Sequence, residues 1–250
     1  MSVNVFKRYE LKYILSPKQY SAIKGEIAKR LYPDVFGESA IQSLYYDTDD
    51  FRLIRASVEK PIFKEKLRLR CYNLNDDDRD IYVEMKRKYN GVVYKRRIAC
   101  KENRALKLFC GEPDDSQIGK ELDYFIRYYG EPEPKMLIIY DREAFYDKIG
   151  DLRVTFDKNV RYRTTDLNFH TSLEGEQLLP GYYLMELKTA TALPLWLCRS
   201  LFENDIKKQS FSKYGKAYET EYLKSNGGMG LCLDRSFLTE QSQQSVSLSF

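Results

Sequence analysis

The stretch KEKLRLRCY, residues 64–72, alternates charge with apolar bulk. In an extended chain Lys66, Arg68 and Arg70 share one face, and Leu67, Leu69 and Cys71 the other. The same format recurs along the chain. RYELKY sets Arg8, Glu10 and Lys12 together, and YVEMKRK sets Glu84, Lys86 and Lys88 opposite Val83 and Met85. VYKRR joins Lys95 to Arg97, and IYDREAF places Arg142 beside Tyr140. LRVTFD sets Arg153, Thr155 and Asp157 opposite Leu152, Val154 and Phe156, and YLMELKT sets Glu186 and Lys188 opposite Met185 and Leu187. Arginine forks and lysine point charges suit phosphate oxygens. Carboxylates among them do not suit phosphate directly, but they are ligands for a hard divalent cation, Mg2+ or Mn2+, that bridges to it.

Two arrangements accommodate such strands. In one, an antiparallel sheet turns its charged face to water, which screens like charges two residues apart. In the other, about eight strands close into a barrel with the charged faces inward. Seven strands of one format favour the second, since wet strand faces more often carry Thr, Ser, Gln and scattered charges. The expected fold is therefore α+β, a closed antiparallel β-barrel forming a tunnel, with helices packed on its outside. An outer-membrane barrel shares the polar lumen, but several amphipathic helices and the absence of an apolar leader in MSVNVFKRYELKY argue against it.

The elements that must position these residues are readable. Strands are expected near 5–13, 41–47, 62–73, 80–88, 92–99, 136–145, 152–157 and 182–189, with turns at Asn73 to Arg79 and at Tyr89-Asn90-Gly91. Ser16-Pro17 opens a helix whose stripe is Ile23, Ile27 and Leu31, ended by Pro33. Further helices are expected over Arg104–Cys110, over Gln117–Tyr129 with Leu122, Phe125, Ile126 and Tyr129 inward, and over Thr191–Ile206 with Leu197, Leu201 and Phe202 inward. Trp196 is expected to anchor the last of these in the core. From Ser225 the chain turns Gly-, Ser- and Gln-rich. The expected division is thus 1–224 for the folded domain and 225–250 for a loosely docked tail.

Composition narrows the chemistry. With 250 residues and 43% hydrophobic content, the chain can build a substantial core. A net charge of +4 is a weak argument for nucleic acid, so any anion site must come from arrangement. The five cysteines show no CxxC spacing, which reads as reduced, cytoplasmic usage. A single histidine, His170, lies in the polar stretch TTDLNFHTS and is expected at the surface, and multi-histidine metal sites are excluded. No apolar run is long enough to span a membrane as a helix, and no GxGxxG or P-loop sequence appears.

In order, RYELKY, SLYYDT, KLRLRCY, YVEMKRK, VYKRRI, YDREAF, LRVTFD, MELKT and SFSKYGKAY extend from residue 8 to 218. This series resembles the VTC domain (vacuolar transporter chaperone), a polyphosphate polymerase branch of the triphosphate tunnel metalloenzymes, which include the CYTH proteins. The resemblance implies a metal-dependent ATP-polyphosphate phosphotransferase, in which a chain end attacks the γ-phosphate of ATP. It implies catalytic roles for Arg68, Arg70, Lys86, Arg142, Arg153 and Lys213. Phosphate and ATP binding would fall to Lys12, Lys66, Lys95, Arg97, Lys188 and Ser212. Glu186 would hold Mn2+ or Mg2+, with Glu10, Glu84 and Asp157 assisting or orienting the cations. CYTH hydrolases typically begin ExExK; here Arg8 replaces the first glutamate, which disfavours CYTH-type hydrolysis. Eukaryotic relatives carry SPX and transmembrane domains, and neither is expected here.

The partners implied are ATP and inorganic polyphosphate. Rival readings are a tripolyphosphate or nucleoside triphosphate hydrolase of the same fold, a non-catalytic polyphosphate sensor, and a nucleic-acid binder. The last is disfavoured because the cations alternate with apolar residues and form no open basic stripe. The 21 tyrosines are expected mainly to pack.

Overall fold

The computed structural model describes residues 9–59, 62–72, 80–90 and 92–225. The chain divides into two compact units, Met1–Lys216 and Ala217–Phe250. The first holds the whole sheet. Of the second, residues 217–225 are helical, and the tail expected beyond them lies outside the described residues, as do Arg8, Gly91 and the Asn73–Arg79 turn.

Eight strands form one antiparallel path. They are β1 (Tyr9–Leu15), β3 (Ser39–Asp47), β4 (Phe63–Tyr72), β5 (Ile81–Tyr89), β6 (Val92–Cys100), β7 (Glu133–Tyr146), β8 (Arg153–Arg163) and β10 (Tyr183–Thr189). Their order is β1-β10-β8-β7-β3-β4-β5-β6. Two-residue strands β2 (Tyr32–Pro33) and β9 (Glu176–Gln177) add to β7 and β8.

The barrel is open, which corrects the closed barrel expected from sequence. Among the described residues β1 and β6 form no ladder with each other. The sheet instead curls until Lys86 on β5 comes within 3.9 Å of Glu10 on β1, so side chains bridge where a ladder would have closed the ring. Closure needs consistent strand number, tilt and stagger, and alternation within each strand encodes none of these.

The convex face carries the apolar halves of the strands, and helices cover it. The helices α1 (Pro17–Ala28) and α5 (Leu195–Glu203) place Ile23, Ile27, Leu197 and Leu201 on Val154, Phe156, Met185 and Leu187. The helices α3 (Glu102–Phe109) and α4 (Gln117–Tyr129) place Leu108, Leu122, Phe125 and Ile126 on Leu67, Leu69, Val83 and Met85. Burying each such side chain contributes about 1.5–3 kcal/mol. Ser16 caps α1 through a capping box with Gln19, and Pro17 takes the first turn as expected. The expected inward Phe202 is instead 85% exposed. It lies one position, about 100°, past Leu201 on the helix, and so falls off the stripe. Trp196 packs only at the core's edge, with Arg30 over its ring at 5.0 Å.

Two helices escaped the sequence reading, α2 (Arg52–Val58) and α6 (Lys213–Ser225). Both are tied to Asp47, at the end of β3. Its fully buried carboxylate accepts the Leu53 and Ile54 amides that open α2, at 2.8 and 3.0 Å, and the Tyr214 hydroxyl at 2.9 Å. Burial pushes this carboxyl's pKa up, against those hydrogen bonds. Asp47→Ala is expected to cost about 3 kcal/mol, because it strands buried donors worth roughly 1–3 kcal/mol each. The check is a lower urea midpoint at unchanged m-value.

Candidate active site

The concave face gathers the charged halves of the strands. Lys66, Arg68 and Arg70 of β4 stand beside Glu84 and Lys86 of β5, Tyr140 and Arg142 of β7, Glu186 and Lys188 of β10, and Glu10 and Lys12 of β1. With Tyr45, Ser212 and Lys213 they enclose a cavity of about 130 Å³. Its wall holds eight cations and three carboxylates. The imbalance is felt by the lysines. Burial, with Lys86, Lys12 and Lys64 adding to it, pulls Lys66 down to about 8. Burial likewise lowers Lys86, with help from Lys12 and Arg68 and against Glu10.

The carboxylates do not stand alike. Glu84, 1% exposed, is a hub: Arg68 grips Oε2 at 2.6 and 2.8 Å, while Arg97 and Lys95 grip Oε1 at 2.5 and 2.6 Å. Burial opposes its ionisation, but Arg68, Arg70 and Lys95 overrule burial and hold its pKa far below the usual range. Asp157, fully buried, is a second hub. Arg142 forks onto it at 2.5 and 2.8 Å, and Lys213 bonds the same Oδ2. Glu186 and Glu10 are held more loosely. They share Lys12 at 3.4 and 3.2 Å, and Arg142, Lys188 and Lys213 stand 3.6–3.9 Å from Glu186. Burial disfavours the charge on Glu186, yet Lys213, Lys12 and Arg142 keep its pKa well below normal.

Residues 211–213 complete the wall. Lys12 donates to the Phe211 carbonyl at 3.0 Å, and Lys66 donates to Ser212 Oγ at 2.9 Å. Ser212 Oγ also accepts the Gly215 amide at 3.2 Å, capping α6. A Cβ at residue 215 would lie 3.2 Å from Ser212 Cβ, a tight approach against the capping serine.

Most of the expected site residues meet at this cavity, among them Arg68 and Arg70, with Leu67 and Leu69 under the helices. Lys95 and Arg97 stand behind Glu84 on the edge strand and orient it rather than lining the cavity. Arg153 does not reach the cavity. It sits at the first position of β8, and its guanidinium turns aside to Asp34 at 2.7 Å. His170 is at the surface as expected, 2.7 Å from Glu102. Sequence reasoning missed Tyr45. Reading SLYYD with the same period of two would have set Ser43, Tyr45 and Asp47 on one face.

A divalent cation fits only in part. Among the described residues no group of three or more His, Cys, Asp or Glu could hold a metal ion alone. Glu84 and Asp157 have their oxygens engaged by cations. Glu186 and Glu10 offer two hard carboxylates converging on one ammonium, a donor set that suits an ion otherwise coordinated by substrate phosphates.

Lys95 is drawn down to about 8 by burial, although Glu84 opposes the shift. Lysines depressed below their ordinary 10.5 stay protonated longer in the unfolded chain. Between about pH 8 and 10.5 the unfolded state therefore holds more protons, and folding stability rises with pH there. A series of thermal melts from pH 7.5 to 9.5 is expected to show the free protein's midpoint rising above about pH 8.

A curled antiparallel sheet with helices on its convex face and a cation-lined cavity on its concave face defines an α+β half-barrel with an anion-receptive wall. The chain belongs to the VTC domain family, whose model matches residues 7–222. A stretch of 89 residues is 36% identical to vacuolar transporter chaperone complex subunit 4 of Schizosaccharomyces pombe, covering 32% of this chain and only 12% of that protein. Among solved structures, the Hippeastrum protein HpAC1, described as a candidate adenylyl cyclase with a dominant triphosphatase activity, aligns over 83% of this chain and 93% of its own. Its TM-score is 0.53 at 15% identity, a likeness of fold. No helix among the described residues is long and apolar enough to cross a membrane.

Proposed function

We propose that this chain is an ATP-polyphosphate phosphotransferase that moves the γ-phosphate of ATP onto the end of an inorganic polyphosphate chain. The observation that carries the reading is the charge of the cavity. Eight cations converge on about 130 Å³ with three carboxylates among them, and two of its lysines have depressed pKa values. Such an excess of positive charge suits a multivalent anion. The family membership and the relative among vacuolar transporter chaperone subunits support polyphosphate as that anion.

In the reaction, a terminal oxygen of the polyphosphate attacks the γ-phosphorus, the bond to the β–γ bridging oxygen breaks, and ADP departs. The attacking oxygen is already ionised, so no general base is required. Catalysis then consists of positioning and of neutralising charge on the transferred group. Arg68, Arg70, Arg142 and Lys213 are fixed by carboxylate and hydroxyl partners and supply preorganised positive charge. Lys12, Lys66, Lys86 and Lys188 extend it along the chain's path. Glu186 and Glu10 would hold Mn2+ or Mg2+, and the ion would supply positive charge that neutralises the substrate's phosphate oxygens.

Incubation with ATP and Mn2+ followed by gel electrophoresis tests the reading. Long polymer is expected. Orthophosphate alone would mean hydrolysis, and tight polyphosphate binding with neither product would mean a sensor.

A further inference from the structure

Tyr45 stands in an unusual position for a phenol. Its side chain lies on the cavity wall and is buried at 7% exposure, with its ring stacked on Tyr214 at 4.4 Å. Its hydroxyl accepts a hydrogen bond from Arg68 Nη1 at 2.9 Å. Among the described residues it donates to no acceptor. Lys66, Arg68 and Arg70 surround it from β4, and Tyr140 and Arg142 share the wall from β7. From the start of α6 come Lys213 on the wall and the ring of Tyr214. The carboxylates linked to its two neighbours are engaged: Glu84 holds Arg68, and Asp47 is held by the α2 amides and the Tyr214 hydroxyl. A hydroxyl that accepts from a guanidinium, donates to no acceptor among the described residues and shares its wall with Lys66 and Arg70 is better served as an oxygen anion.

We propose that Tyr45 is the internal counter-ion of the empty cavity: its hydroxyl sheds its proton to solvent when no polyphosphate is present and takes one back from solvent when the anion arrives. The proposal rests on the phosphate-site reading above. It makes substrate binding a proton-consuming step. It also gives the cation cluster a partner that withdraws without moving, since only a proton is exchanged. The electrostatics agree in direction. Burial opposes ionisation, but Arg68, Lys66 and Arg70 outweigh it and bring the phenol down to about 7.

The test is the near-ultraviolet tyrosinate absorbance of the full chain, titrated with and without tripolyphosphate, for the wild type and for Tyr45→Phe. One tyrosine is expected to ionise near neutrality in the free wild type and none in the variant. Saturating tripolyphosphate at pH 8 should abolish that tyrosinate signal, with about one proton more taken up per site than in the variant. Between pH 7 and 8 the wild type's affinity should fall about fivefold more than the variant's, approaching tenfold per pH unit above pH 8. Absence of a near-neutral tyrosinate in the free protein, or its persistence with tripolyphosphate bound, overturns the proposal. The wild-type spectra decide this even should the variant fail to fold. Calorimetry separates the two readings: if tripolyphosphate does not bind at all, the phosphate-site reading fails, whatever the free protein's titration shows.

Discussion

Arg142→Ala is expected to lower ATP-dependent polyphosphate formation by about 10²–10³-fold, the usual loss when one preorganised charge donor is removed. Its guanidinium is fixed by a fork onto Asp157, leans toward Glu186 at 3.9 Å and sits over the Tyr140 ring at 5.1 Å. A guanidinium so held has no reorganisation to undergo when charge develops on a phosphoryl group. At about 4 Å and an effective dielectric near 20, opposite unit charges gain roughly 4 kcal/mol. Arg142→Lys keeps the charge but loses the fork, and is expected to fall between wild type and alanine. Arg153→Ala is the control. Its side chain points to Asp34, away from the cavity, and its rate should stay near wild type.

The alanine variant also leaves Asp157 buried with Lys213 alone, so lost activity by itself does not separate a lost charge from a lost fold. The double change Arg142→Ala with Asp157→Asn separates the two. It removes the unpaired buried charge and should recover the melting temperature without recovering the rate. An Arg142→Ala enzyme as fast as the Arg153→Ala control would remove Arg142 from the site.

The contrast between these two arginines shows what could be read in advance. Alternation placed both on the charged face, and both are there in register: Arg142 opposite Asp157, and Arg153 opposite Lys188. What alternation could not supply is height along the curled sheet. Arg142 lies inside β7, whereas Arg153 begins β8 at the rim, where Asp34 competes for it. The same limit explains the carboxylates. As residue types, Glu84, Asp157, Glu10 and Glu186 are equal candidates for a metal. Only cross-strand register reveals that Glu84 faces Arg68 on one side and Arg97 on the other, and that Asp157 faces Arg142. The apolar faces were legible because burial demands them strand by strand. The open edge between β1 and β6 was not, because it is a property of all eight strands together.

That register leads to the second large effect. Glu84→Ala is expected to destabilise the fold by about 3–5 kcal/mol, the usual cost of removing one partner from a buried ion pair. Arg68, Lys95 and Arg97 would lose their shared carboxylate at once, and so would Arg70, 3.9 Å away. The cavity wall, already carrying an excess of cations, would become more repulsive. A polyanion should then substitute for the missing carboxylate. Tripolyphosphate is therefore expected to raise the variant's melting temperature by more than it raises the wild type's, a linkage effect that grows with the variant's affinity for the anion. Glu84→Gln should fall between, since the amide keeps one acceptor oxygen for the guanidinium donors but not the charge. A metal-ligand role would look different: near-normal stability without metal, with the loss confined to metal-dependent activity. Melting Glu84→Ala in the presence of a chelator, with and without tripolyphosphate, decides between them. A variant as stable as wild type in chelator would show that Glu84 is not the hub that holds this wall together.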